Sequence, residues 1–168
     1  KTGPTWIKST KKNLGFGFTK NAYWVRFSLK NTTPDEIKFY LEQSYPPTDH
    51  IFLYAPDEKG NYRAIKSGDH YPFKQRPVKY RTFVFPLTMK PHGSATYYMR
   101  FESSGSINIE LSIMTYDSFH DIKDEEAVFL WIFYGIFLVM FVNYLVIFLA
   151  TRDWSYFFYV LYVGSFAL

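Results

Sequence analysis

The residue types that do chemistry are sparse in this chain and poorly spaced for catalysis. There is no cysteine, so thiolate nucleophiles, thiolate metal sites and disulfide staples are excluded. Four histidines, His50, His70, His92 and His120, show no metal-ligand spacing to one another. No Gly-x-Ser-x-Gly elbow occurs, and no Asp/Glu pair stands out as an acid–base couple. Gly15-Phe16-Gly17 lacks the third glycine and the strand-to-helix context of a nucleotide loop, and reads as loop or bulge glycines. The expectation is a non-enzymatic segment with no catalytic residue. Asp49, Asp57, Glu58 and Asp69 fall in or near loops, where converging oxygens would suit calcium. Solvated turn acids explain them as well, so calcium is the one cofactor kept open and no metal ligand is assigned.

Binding chemistry has more to work with. In the strand Ala22 to Lys30, Tyr23, Val25, Phe27 and Leu29 alternate with Trp24, Arg26, Ser28 and Lys30, so period two sorts them onto two faces. In Ala95 to Ser103, Tyr97, Met99 and Phe101 lie opposite Tyr98 and Arg100. Trp24, Arg26, Tyr98 and Arg100 are the candidate ligand-binding residues. Rings stack on sugar faces, and forked guanidinium donors grip small acids. The competing reading is structural: Trp and Tyr also fill sandwich cores, and an exposed arginine is often only solvated.

The elements that must position these residues are short strands. Ile37 to Gln43, His50 to Ala55, Tyr62 to Lys66, Tyr80 to Thr88 and Ile107 to Met114 complete the series, with Pro46-Pro47 and the stretch Pro56 to Asn61 as breaks. Pro86 marks its strand as an edge or a bulge. Asn31-Thr32-Thr33 matches a glycosylation sequon over three residues only and is read as chance. About eight antiparallel strands with regular turn signals, and no amphipathic helix, predict a mainly β fold: a jelly-roll β-sandwich followed by transmembrane α-helices.

The helical part begins at Ala127. Ala127 to Ala150 carries no charge, and as a helix it spans roughly 36 Å, enough for a hydrocarbon core of roughly 30 Å. After Thr151-Arg152-Asp153, Trp154 to Leu168 is again uncharged but roughly 22 Å long, which reads as the start of a second, truncated span. Trp131 and Trp154 suit interfacial anchors. Up to Ser118 there are 17 Lys/Arg against 10 Asp/Glu, and beyond it 2 against 5. The expected organisation is a soluble basic sandwich at 1–118, a juxtamembrane linker at 119–126, one span at 127–150 and the start of another at 154–168. One basic residue on each side of the first span leaves its orientation undecided by charge. The basic domain could favour acidic glycans or anionic headgroups; nucleic acid does not suit a membrane-anchored domain.

With strands and helix placed, the chain resembles a known bacterial family, the seven-transmembrane receptors with diverse intracellular signalling modules (7TMR-DISM). The soluble part is similar to their second type of extracellular domain. The matching stretches are Tyr23-Trp24-Val25-Arg26-Phe27 through Asn31, Asp49-His50-Ile51-Phe52-Leu53-Tyr54, Arg81-Thr82-Phe83 to Leu87, and Tyr97-Tyr98-Met99-Arg100 to Ser103. In the membrane part they are Tyr134-Gly135-Ile136-Phe137 and Thr151-Arg152-Asp153-Trp154-Ser155-Tyr156. The family's Tyr-Asn-Leu triplet at the helix end stands here as Val142-Asn143-Tyr144, keeping only the asparagine. The resemblance implies a carbohydrate-binding-module-like jelly roll outside the cytoplasm, with residues 1–126 periplasmic, Arg152 inside, and the chain in the bacterial inner membrane. It also implies a cytoplasmic signalling module in the same full-length protein. The partners expected are a small-molecule or glycan ligand, the lipid bilayer and that module. The reading from a different class is a sandwich that binds no small ligand and mediates homodimer or partner-protein contacts.

Overall fold

A computed structural model describes residues 6–11, 13–57 and 59–165. Eight strands come first: β1 (Asn13–Phe18), β2 (Tyr23–Lys30), β3 (Ile37–Gln43), β4 (His50–Pro56), β5 (Tyr62–Ser67), β6 (Phe83–Met89), β7 (Ser94–Glu102) and β8 (Ser106–Thr115). They form two four-stranded antiparallel sheets of order β1-β8-β3-β6 and β2-β7-β4-β5. Apart from the β4–β5 hairpin, successive strands cross from one sheet to the other, which is the double Greek key of a jelly roll, so the expected fold class holds.

Period-two patterning explains why this sequence closes into a sandwich. Ile51 and Leu53 of β4 point inward with Tyr97, Met99 and Phe101 of β7. They meet Phe83, Phe85 and Leu87 of β6, Leu41 of β3, and Ile107 and Ile109 of β8. Phe83, Phe85 and Phe101 are fully buried, each contributing about 2–3 kcal/mol of transfer free energy. Gln43 is buried among them at no polar cost. Its amide donates to the Asn108 carbonyl at 2.7 Å, and its Oε1 accepts from the Glu110 N–H at 3.0 Å. Pro86 sits on β6, an edge strand with one neighbour, where its missing N–H costs no ladder bond on the open side.

Strand β1 adds to the strands read from the sequence, where Gly15 and Gly17 stand as loop or bulge glycines. It pairs with β8, and the register slips between Gly15 and Gly17, where Gly17 adopts φ +64°. The glycines are therefore bulge glycines inside a strand.

The chain divides into two compact units at Tyr116/Asp117, close to the boundary expected at 118. Helix α1 (Tyr116–Thr151) follows β8 with no intervening residue and runs for 36 residues. The stretch expected as a linker, 119–126, is continuous helix within it. Its Lys and Glu residues are good helix formers, it holds no Gly or Pro, and Asp117 favours the positive end of the helix dipole. The expected span at 127–150 lies inside α1, which is long and apolar enough to cross a membrane. Helix α2 (Trp154–Ser165) follows a tight turn at Arg152, φ 52°. Asp153 caps α2 by accepting from the Ser155 N–H at 2.9 Å, and that bond holds its carboxyl below the usual value. The two helices pack through rings, Tyr144 on Tyr159 at 4.8 Å and Phe148 on Phe157 at 5.3 Å. The last residues expected in the second span, 166–168, lie outside the described residues.

Candidate functional site

The ladder between β2, β7 and β4 decides which side chains share the outer sheet face. Trp24, Arg100 and Phe52 stand in one cross-strand row, and Arg26, Tyr98 and Tyr54 in the next. All four sequence candidates, Trp24, Arg26, Tyr98 and Arg100, therefore occupy two adjacent rows of one face. None of them enters the core, because their in-strand neighbours Val25, Tyr97, Met99 and Phe101 take the inward positions. Burial of Tyr97 pushes its phenol above the usual value.

The rings on this face form a platform. Trp24 stacks on Tyr54 with centroids 5.5 Å apart and planes 23° from parallel. Tyr62 of β5 meets Tyr98 edge-on at 5.3 Å, and its hydroxyl donates to the Thr96 carbonyl at 3.2 Å. The two arginines are held differently. Arg100 lies over Phe52 at 5.5 Å and donates to the Glu102 carboxylate. Arg26 lies 4.8 Å from the centre of the Trp6 ring, which also tilts against Tyr98 at 6.1 Å. A guanidinium stacked on a ring keeps its in-plane N–H donors free for an acid. Sequence reasoning did not assign Phe52, Tyr54, Tyr62, Glu102 or Trp6 to the site. His50 to Ala55 reads from the sequence as a dense apolar strand with no face assigned, and that β4 neighbours β7 is not a local property. For Trp6 no local signal exists.

At the far end of the same sheet Asp49 accepts from the Ser104 N–H and hydroxyl, each at 2.7 Å, with His70 Nδ1 3.8 Å away. The Ser104 N–H first, then its hydroxyl, pull the Asp49 carboxyl below its usual 3.8; burial opposes them and His70 adds to them. Asp57 accepts from the N–H groups of Lys59 and Asn61, both at 2.8 Å, closing the β4–β5 hairpin. Glu58 lies outside the described residues. Among the described residues no group of three or more His, Asp or Glu side chains is placed to hold a metal ion.

A two-sheet jelly roll with one ring-lined outer face, continued by a helix that can cross a bilayer, defines a membrane-tethered β-sandwich. The chain belongs to the 7TMR-DISM extracellular 2 family, whose model matches residues 1–115. The resemblance read from the sequence is thereby borne out. No curated protein matches the chain. Family and helix together make this a membrane protein with an extracytoplasmic segment and a sensory role.

Proposed function

We propose that the sandwich is the input domain of a bacterial inner-membrane receptor and binds a small ligand, a sugar or small acid, on the outer face of the β2-β7-β4-β5 sheet. The observation that carries this reading is the gathering of Trp24, Arg26, Tyr98 and Arg100 with Tyr54 and Phe52 in two adjacent rows. Stacked rings beside guanidinium donors suit flat, hydroxylated or acidic molecules. The segment itself has no catalytic part; output belongs to a cytoplasmic module of the full-length protein. Ligand binding favours one arrangement of the domain and α1, a population shift rather than a chemical step. The residues 116–126 are helical without a break, so they can carry a rotation or a tilt.

The test is a thermal-shift screen of the chain in lipid nanodiscs against sugars, glycan fragments, small acids and calcium. Stabilisation that Trp24→Ala or Arg100→Ala removes supports the sensor and locates its face. No shift with any compound, together with concentration-dependent association, moves the reading to a contact module for a second copy or a partner protein.

A further inference from the structure

A cleft of ≈ 730 Å³ opens along the side of the sandwich where both sheets end in edge strands, β1 and β2. Its size falls in the range of small-molecule sites, about 300–1,000 Å³. Its walls are rings and aliphatic groups, Trp6, Leu14, Phe16, Tyr23, Trp24 and Tyr98 among them, with the Ser9 and tyrosine hydroxyls and the indole N–H groups as the side-chain polar groups. No charged side chain lines it among the described residues. Phe16 and Tyr23 stack at 3.9 Å, joining the two sheets across the gap. Trp24 is 48% exposed, Phe16 40% and Trp6 38%, so three large rings on a water-facing domain are left part-covered. Apolar surface concentrated in this way marks a binding site more often than a bare surface. Beside the cleft stands a cation. Arg26 is directly opposite Tyr98 in the ladder and stacks on Trp6, and no carboxylate among the described residues pairs with it. Arg100, by contrast, already gives one of its N–H donors to the Glu102 carboxylate.

We propose that this cleft binds a planar aromatic acid, its ring between the aromatic walls and its carboxylate on the in-plane N–H donors of Arg26. This rests on the reading of the domain as a ligand sensor and names the ligand's chemical class. Ring-lined walls favour a flat body over a flexible chain, because offset stacking rewards planar contact. A stacked guanidinium presents its fork with little motion left to lose, which suits one carboxylate. A neutral sugar offers Arg26 hydroxyl acceptors but no opposite charge, and it fills an apolar cleft poorly.

The experiment is calorimetric titration of the full chain in nanodiscs, with empty discs as the blank. The probes are 2-naphthoate, its neutral analogue 2-naphthalenemethanol, and a neutral hexose. Saturable binding of 2-naphthoate is expected, about tenfold tighter than the alcohol from the charge-assisted bonds. Arg26→Gln, at an exposed position, should erase that difference while keeping the alcohol's affinity; Phe16→Ala should weaken both. Absence of saturable 2-naphthoate binding overturns the proposal, as does wild-type affinity in both variants. Hexose binding lost in Arg100→Ala, with no response to 2-naphthoate, overturns the aromatic acid and keeps the sheet-face sensor. No response to any of the three probes overturns the aromatic acid and leaves the sheet-face sensor to be decided by the wider thermal-shift screen.

Discussion

Asn31 begins a sequence that reads as a glycosylation site, yet its side chain is spent on the fold. It is 3% exposed. Its amide donates to the carbonyls of Asp35 and Lys90 at 2.7 and 3.0 Å, and its Oδ1 accepts from the N–H and hydroxyl of Thr33 at 2.9 and 2.8 Å. Removing it strands several polar groups at once, so Asn31→Ala should cost about 2–3 kcal/mol in urea unfolding. A loss below about 0.5 kcal/mol would contradict that role. Asp49 carries a pH signature. Its folded value is depressed, so its contribution is complete above the usual 3.8 and fades as pH falls through the lower folded value. Asp49→Asn should therefore be less stable than the wild type near neutrality, and the gap should narrow below about pH 4, measured as urea midpoints against pH. A gap that widens on acidification would reverse the sign. At this scale the sequence was informative about faces and silent about neighbours. Period two put Trp24 with Arg26, and Tyr98 with Arg100, on the face opposite their apolar neighbours without any structure. Pairing of Arg26 with Tyr98, 72 positions on, or of Trp24 with Arg100, 76 positions on, is not a local property. So Tyr54 and Phe52 joined the platform only once β4 was seen beside β7.

Among the elements, β1 and the head of α1 were the ones not legible, for opposite reasons. In β1 the apolar residues Leu14, Phe16 and Phe18 do alternate, but two glycines interrupt the pattern and the strand has a neighbour on one side only. At 119–126 the acidic run hides a helix that is held by good helix formers and by continuity with the apolar run behind it. The glycines make a graded prediction. At Gly17 a Cβ meets nothing within 4 Å, so Gly17→Ala costs only the left-handed backbone, about 1 kcal/mol. At Gly68, φ +136°, a Cβ would lie 2.1 Å from the Asp49 carbonyl oxygen, where β4 is entered. Gly68→Ala should lower the unfolding midpoint far more than Gly17→Ala; equal losses would mean that the β5 exit relaxes freely. The helical join gives another outcome. On the sensor reading proposed above, four Gly/Ser residues inserted after Ile122 in the full-length protein should leave ligand affinity unchanged and abolish ligand-dependent output, because a broken helix transmits no rotation. Retained output would rule out α1 as the connection.

For the molecule as a whole, the membrane was the most legible feature and the orientation the least. An uncharged run of 24 residues from Ala127 to Ala150 is enough to predict a span, and α1 contains it. The strand order of the jelly roll was not readable, because it depends on which distant strands meet. Orientation by charge is a tie between Lys123 on one side and Arg152 on the other. Membership of an extracellular-domain family breaks that tie by putting residues 1–115 outside. The side of Arg152 then follows from the number of crossings: one passage of α1 carries the chain across once. The absence of cysteine from this chain makes this directly measurable, since a thiol introduced into it is the chain's sole maleimide target. Lys59 sits exposed in the β4–β5 hairpin loop, and Arg152 is exposed in the turn between α1 and α2. In spheroplasts, Lys59→Cys should label with a membrane-impermeant maleimide at once. Arg152→Cys should label only after detergent lysis. Equal labelling of both before lysis would mean that α1 does not cross, and the helix would have to lie along the surface or against other helices.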